Sequence, residues 1–135
     1  MRAATANKAF PTVLLVEEDV LIRMPLAAYL RDCGYKVVEA ASSTEALMVL
    51  QQPDVTVDAL FADAQLTGGM DGFGLAQWMR LNRPQSQIVL AGTPARAATE
   101  AGRLCEEGPM LAKPYEPQIV ENRIRQLLAA RQRWN

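Results

Sequence analysis

Short runs of apolar residues alternate along this chain with longer stretches in which apolar residues recur every three or four positions. The first pattern is that of a strand covered on both faces and the second that of a helix with one buried stripe, so their alternation predicts a βαβ progression with a parallel sheet. TVLLV (Thr12 to Val16) reads as a central strand. After Asp19, the residues Ile22, Leu26, Tyr29 and Leu30 fall at helical spacing, with Gly34 behind Cys33 as the stop. Pro25 lies near enough the first turns of that helix to be tolerated with local distortion. YKVVEA is a second strand, and SSTEALMVLQQ a second helix with Ser43 as its N-cap ahead of Ala46, Leu47 and Leu50. VDALFA, SQIVLA and PMLA give the third, fourth and fifth strands. GFGLAQWMRLNR, capped by Asp71, and the weakly amphipathic ARAATEAGRLCEE give the third and fourth helices. PQIVENRIRQLLAARQRW closes the chain as a helix with Val120, Ile124, Leu127 and Leu128 on its apolar side. The fold class is α/β: a doubly wound, five-stranded parallel sheet flanked by five helices. Residues 1–11 read as a flexible tail and 12–135 as one domain.

Open α/β sheets carry their chemistry beyond the carboxyl ends of the strands, where strand order reverses. Glu17 and Glu18 follow the first strand, Asp63 the third and Lys113 the fifth. Each has an ordinary reading alone: solvated loop acids, a turn former, a surface charge, and for Asp19 the N-cap of the first helix. Together they stand at the same relative place on three strands, which predicts a cluster. Crowded carboxylates either take up protons or hold a cation. Mg²⁺ suits a site of few carboxylates that also receives phosphoryl oxygens.

Composition narrows the field. At 135 residues, half of them apolar, the chain has material for one core. A net charge of −1 argues against a nucleic-acid surface, and no apolar run approaches the roughly 20 residues of a membrane span. Cys33 and Cys105 lack metal-site spacing in a chain without histidine, which predicts buried free thiols in a reducing cytoplasm. Trp78 falls at packing spacing with Leu75 and Met79, whereas Trp134 offers a contact to a partner or to a second copy of the chain. The arginines of the last helix complement its dipole and need bind nothing.

VLLVEED followed by Arg23, VDALFADAQLTGGMDG and LAKPY resemble, in this order, the acid-pair, phospho-acceptor and Lys-Pro motifs of response-regulator receiver domains, over about residues 12 to 130. The resemblance implies a flavodoxin-like sheet of order 2-1-3-4-5. It implies Asp63 as phospho-acceptor, Glu17 and Glu18 as the metal-binding pair, and Lys113 as the phosphoryl contact. A register shifted by one residue makes the pair Glu18 and Asp19. The backbone carbonyl of Gln65 completes the Mg²⁺ shell, and Pro114 matches a proline that commonly follows a cis peptide. The implied partners are a histidine kinase or phosphotransfer protein as donor and a downstream protein as target. The implied role is that of a cytoplasmic signalling module rather than an enzyme.

Three departures bear on the switch. Ala91 stands where the family usually has Ser or Thr, with Thr93 two residues on as a substitute only if the loop shifts register. Met110 replaces an aromatic residue that swings inward on activation, and Glu18 is longer than the commoner aspartate. A receiver-like interaction module working without phosphorylation is therefore the second reading. A third, a phosphohydrolase with an aspartyl nucleophile, needs a second acid where Gln65 stands.

Overall fold

The structure, a computed structural model, describes residues 10–92 and 111–134. Strands β1 (Thr12–Val16), β2 (Lys36–Ala40), β3 (Ala59–Asp63), β4 (Gln87–Gly92) and β5 (Leu111–Ala112) form one sheet in the order β2-β1-β3-β4-β5. Every pairing is parallel. Four helices lie among the described residues: α1 (Val20–Asp32), α2 (Ser43–Leu50), α3 (Gly72–Asn82) and α4 (Pro117–Trp134). The stretch read as a fourth helix, together with Thr93, Cys105 and Met110, lies outside the described residues, as does most of the tail. Pro11, assigned to that tail, already accepts a hydrogen bond on its carbonyl from the Lys36 amide at 2.9 Å.

The pleat of β1 divides the core. Leu14 and Val16 face a cluster with Leu50 of α2 and Leu75 and Met79 of α3. Val13 and Leu15 face the other layer, with Leu26 and Leu30 of α1 and Val120 and Ile124 of α4. Trp78 packs at the margin of the first cluster. Side chains alternate along a strand. Glu17 two residues after Leu15, Asp63 two after Phe61 and Ala91 two after Val89 therefore all belong to the α1/α4 side of the sheet.

Local chemistry sets the element ends. Asp19 caps α1 by accepting from the Leu21 amide at 2.9 Å, and Asp71 caps α3 by accepting from the Gly74 amide at 2.9 Å. Gly34 closes α1 in the left-handed region (φ 103°), with its amide on the Arg31 carbonyl at 3.0 Å and the Tyr35 amide on the Leu30 carbonyl at 3.1 Å. This paired return satisfies the last free carbonyls of the helix. Pro25 sits inside α1 without ending it.

Several boundaries differ from the sequence reading. The cap of α2 is Ser42, not Ser43: Ser42 has an extended backbone and accepts from the Glu45 amide at 3.1 Å, while Glu45 accepts in return from the Ala41 amide at 2.8 Å. Ser43 is instead the buried first residue of the helix. β3 starts two residues later than VDALFA suggested and includes Asp63, and β4 runs on to Gly92. Cys33 is exposed rather than buried, because it is the C-cap of α1, where the chain turns outward before Gly34.

Two polar ties hold α4 to the sheet. Tyr35 donates its hydroxyl to Glu121 at 2.9 Å, and Glu121 pairs with Arg125 at 3.0 Å. Burial first, then the Glu121 carboxylate, pushes the Tyr35 phenol well above its ordinary range, so it remains a donor. At the opposite edge of the sheet from the acids, Arg131 reaches Asp58 at 3.3 Å and Asp58 accepts from the Thr12 amide at 2.8 Å. Among the described residues no helix is long and apolar enough to cross a membrane.

Candidate functional site

Glu17 leaves β1 with its backbone fixed on both sides. Its amide donates to the Ala40 carbonyl at 3.1 Å, and its carbonyl accepts from the Arg23 guanidinium at 2.8 Å. Arg23 is itself oriented by Glu39 at 3.2 Å. The Glu17 side chain, 2% exposed, points into the end of the sheet. Its Oε2 accepts from the Asp19 amide at 3.0 Å, whereas its Oε1 is buried with no hydrogen-bond partner.

Asp63, the last residue of β3, is 7% exposed and stands opposite Ala91 in the β3–β4 register. The Gln65 amide donates to its Oδ1 at 2.9 Å, and Lys113 donates to its Oδ2 at 2.7 Å. The same ammonium lies 3.7 Å from Glu17 Oε1. Lys113 is delivered by β5, its amide donating to the Gly92 carbonyl at 2.7 Å, and the Lys113–Pro114 peptide is cis. Residues 46 and 50 positions apart along the chain from Asp63 are thus brought onto one ammonium and one carboxylate pair.

The electrostatics follow from burial. Removal from water pushes the Glu17 carboxyl above its ordinary value; the Asp19 amide offsets part of that rise and the charge of Asp63 adds to it. Burial alone would lower Lys113, but the carboxylates of Asp63 and Glu17 outweigh it and hold the ammonium above its ordinary value. One cation thus serves two acids.

Glu18 does not join this group. Its Oε2 accepts from the amide and the hydroxyl of Thr67, at 2.5 and 2.7 Å, tying the first loop to the loop after β3. Asp19, the member of the alternative register, is occupied as the cap of α1. Among the described residues no three acids, cysteines or histidines converge in metal-ligand geometry. The pair that does approach is Glu17 with Asp63. Ala91 is fully buried, and its carbonyl accepts from the Ala64 amide at 2.7 Å, so at this point β4 contributes backbone and a methyl group.

Four positions acquire a part that the sequence left unassigned. Arg23 fixes the Glu17 backbone, and Thr67 holds Glu18. Tyr115 packs its ring on Phe61 edge to face, centroids 5.4 Å apart, with its hydroxyl buried and unpartnered. Gly72 begins α3 directly against the acceptor strand: its amide donates to the Ala64 carbonyl at 3.1 Å, and a Cβ there would stand 2.3 Å from the Asp63 carbonyl oxygen. The place of Gly72 at the start of the third helix was legible in the sequence. Its contact with the far side of Asp63 was not.

The response regulator receiver domain family matches residues 13–125, and the chain belongs to that family. It is 30% identical over 120 residues to the transcriptional regulatory protein AfsQ1 of Streptomyces coelicolor, covering 87% of this chain and 51% of that protein. It is 29% identical over 126 residues to the sensor kinase CckA of Brucella abortus, covering 93% of this chain and 13% of the kinase. The chain thus spans about half, or much less, of the length of these curated relatives. Among solved structures, a response regulator receiver protein from Sinorhizobium medicae superposes with a TM-score of 0.79 at 25% identity, covering 90% of this chain and 96% of that one. The receiver domain of the hybrid histidine kinase CckA gives 0.69 at 28% identity, with 87% and 98% covered. The fold is that of the receivers of two-component signalling, with the flavodoxin-like strand order that the motifs implied.

Proposed function

We propose that Asp63 accepts a phosphoryl group from a phosphohistidine on a kinase or phosphotransfer partner, and that the modified chain signals through contacts with a downstream protein. The observation that carries this reading is the 2.7 Å pairing of Lys113 with Asp63, beside a buried Glu17 whose Oε1 has no hydrogen-bond partner. A structural ion pair would use up its acceptors. Here Glu17 Oε1 is kept out of water with no hydrogen bond and only the shared Lys113 ammonium at 3.7 Å, as suits a group that can take a further cation.

In the reaction, an Asp63 carboxylate oxygen attacks phosphorus in line with the bond to the donor imidazole. The phosphorus–nitrogen bond breaks, its electron pair stays on the imidazole nitrogen, which takes up a proton, and an acyl phosphate remains on Asp63. Lys113 starts on the attacking carboxylate and is placed to follow the charge onto a phosphoryl oxygen. The Gln65 amide, on Oδ1, fixes the rotation of the carboxylate. The hard oxygen donors of Glu17 and Asp63, both carboxylates, and of the neutral Gln65 backbone carbonyl would suit Mg²⁺, with Glu18 able to join by leaving Thr67. Such an ion would supply positive charge against the negative charge that gathers at these carboxylates during transfer. Arg23 keeps Glu17 in place throughout by holding its carbonyl.

Beryllofluoride, which mimics an acyl phosphate on a carboxylate, tests the reading. Fluorine NMR is expected to show an Mg²⁺-dependent adduct on the wild-type chain and none on Asp63→Asn. The second reading, an interaction module that is never phosphorylated, is favoured by one observation: fully buried Ala91 offers no hydroxyl to a phosphoryl group. It predicts no adduct on either chain.

A further inference from the structure

Three buried side-chain polar atoms among the described residues have no hydrogen-bond partner, and two of them, Glu17 Oε1 and the Tyr115 hydroxyl, belong to the same end of the sheet. Native interiors leave few such atoms unmatched, because a buried donor or acceptor without a partner carries its full desolvation cost. The Tyr115 hydroxyl is held there by the rest of its ring. Edge-to-face packing on Phe61, at 5.4 Å and 80°, fixes the aromatic plane one pleat below Asp63, since Phe61 and Asp63 are alternate residues of β3. The residues Lys113, Pro114 and Tyr115 follow β5 directly, so the ammonium on Asp63 and the phenol on Phe61 arrive on the same turn of chain.

The third member of this face is Ala91, paired with Asp63 in register and without a hydroxyl. We infer that the Tyr115 hydroxyl donates to the phosphoryl group on Asp63, from the α1/α4 side of the sheet, and so supplies the neutral donor that Ala91 does not. The inference rests on the phosphoryl-acceptor reading of Asp63 given above. The protonation state is right for the role: burial first, then the charges of Glu17 and Asp63, hold the phenol far above its ordinary range, so it stays a donor. Tyr115 packs against the same buried layer as Phe61 and Ala91, on the side of the sheet to which Asp63 belongs. A phenol adds no charge to a pocket that already has Lys113. It adds direction.

Tyr115→Phe keeps the ring and its contact with Phe61 and removes only the hydroxyl. Titration of beryllofluoride in the presence of Mg²⁺, followed by fluorine NMR, is expected to give a dissociation constant about tenfold or more higher in the variant, the weight of one hydrogen bond to a charged acceptor. The melting temperature of the ligand-free variant should match or exceed that of the wild type, because an unmatched buried hydroxyl has gone. Equal affinity in the two chains overturns the role of Tyr115 and leaves Asp63 as acceptor. A loss of affinity accompanied by a lower melting temperature assigns the residue to packing, and also overturns it. Absence of an adduct on the wild-type chain removes this inference and the reading beneath it together.

Discussion

Lys113→Ala is expected to slow phosphoryl acceptance by Asp63 about a hundred- to a thousandfold, the usual consequence of removing one preorganised charge from a phosphoryl or acyl transition state. The same substitution should weaken the fold when no divalent cation is supplied. Lys113 is the ammonium that stands 2.7 Å from Asp63 and 3.7 Å from Glu17, with its side chain 22% exposed. Without it two buried carboxylates face each other. The loss should come to roughly 1–3 kcal/mol, below the full cost of breaking a buried pair because water reaches the lysine. Its pH dependence follows from the direction of the Glu17 shift. The folded-state carboxyl already titrates above its ordinary value through burial, helped by Asp63, and losing Lys113 drives it further up. A group raised in the folded state contributes stability at pH below its unfolded value, and that contribution is lost as pH rises through the folded value. The variant's melting temperature in EDTA should therefore fall furthest behind wild type at neutral pH and recover as the pH drops into the ordinary carboxylate range. A deficit constant across that range would mean that Lys113 acts through packing.

Gly72→Ala should be nearly as damaging, although it changes no charge and lies outside the acid cluster. The added methyl would stand 2.3 Å from the Asp63 carbonyl oxygen and 2.7 Å from the Ala64 Cα, and both are backbone atoms that cannot rotate away. Either α3 moves off the end of β3 or the strand shifts beneath it. Overpacking of this kind costs about 1–3 kcal/mol, and here the strain falls on the residue that carries the acceptor carboxylate. Chemical denaturation should register the lower stability. Beryllofluoride titration of the remaining folded protein should register a displaced Asp63 as weakened binding. Wild-type affinity with lowered stability would show that the strain is absorbed by the helix alone.

Much of this architecture was readable before any coordinate was known, for identifiable reasons. TVLLV is apolar throughout because β1 is covered on both faces, and the structure gives it the same bounds, Thr12 to Val16. Spacing alone matched the last helix, Pro117–Trp134. The convergence of Glu17, Asp63 and Lys113 was legible because parallel strands put their carboxyl ends along one edge, whatever the loops between them do. What escaped was set by rotamers and close approach. Glu17 and Glu18 are neighbours, yet one turns into the pocket and the other out to Thr67, a choice made by the Asp19 amide and the loop after β3. Tyr115 read as the tail of a Lys-Pro motif. Only its packing on Phe61 exposes the unmatched hydroxyl. Ser42 and Ser43 are equivalent caps in sequence, and the backbone conformation decides between them.

The most direct measurement maps the modification itself. The chain is incubated with Mg²⁺ and a small-molecule phosphodonor, any acyl phosphate is trapped by borohydride reduction, and the product is digested and sequenced by mass spectrometry. Reduction at position 63, dependent on both Mg²⁺ and the phosphodonor, is the predicted outcome. A chain that stays unmodified, or one reduced at Glu17, Glu18 or Asp19 instead, would contradict it.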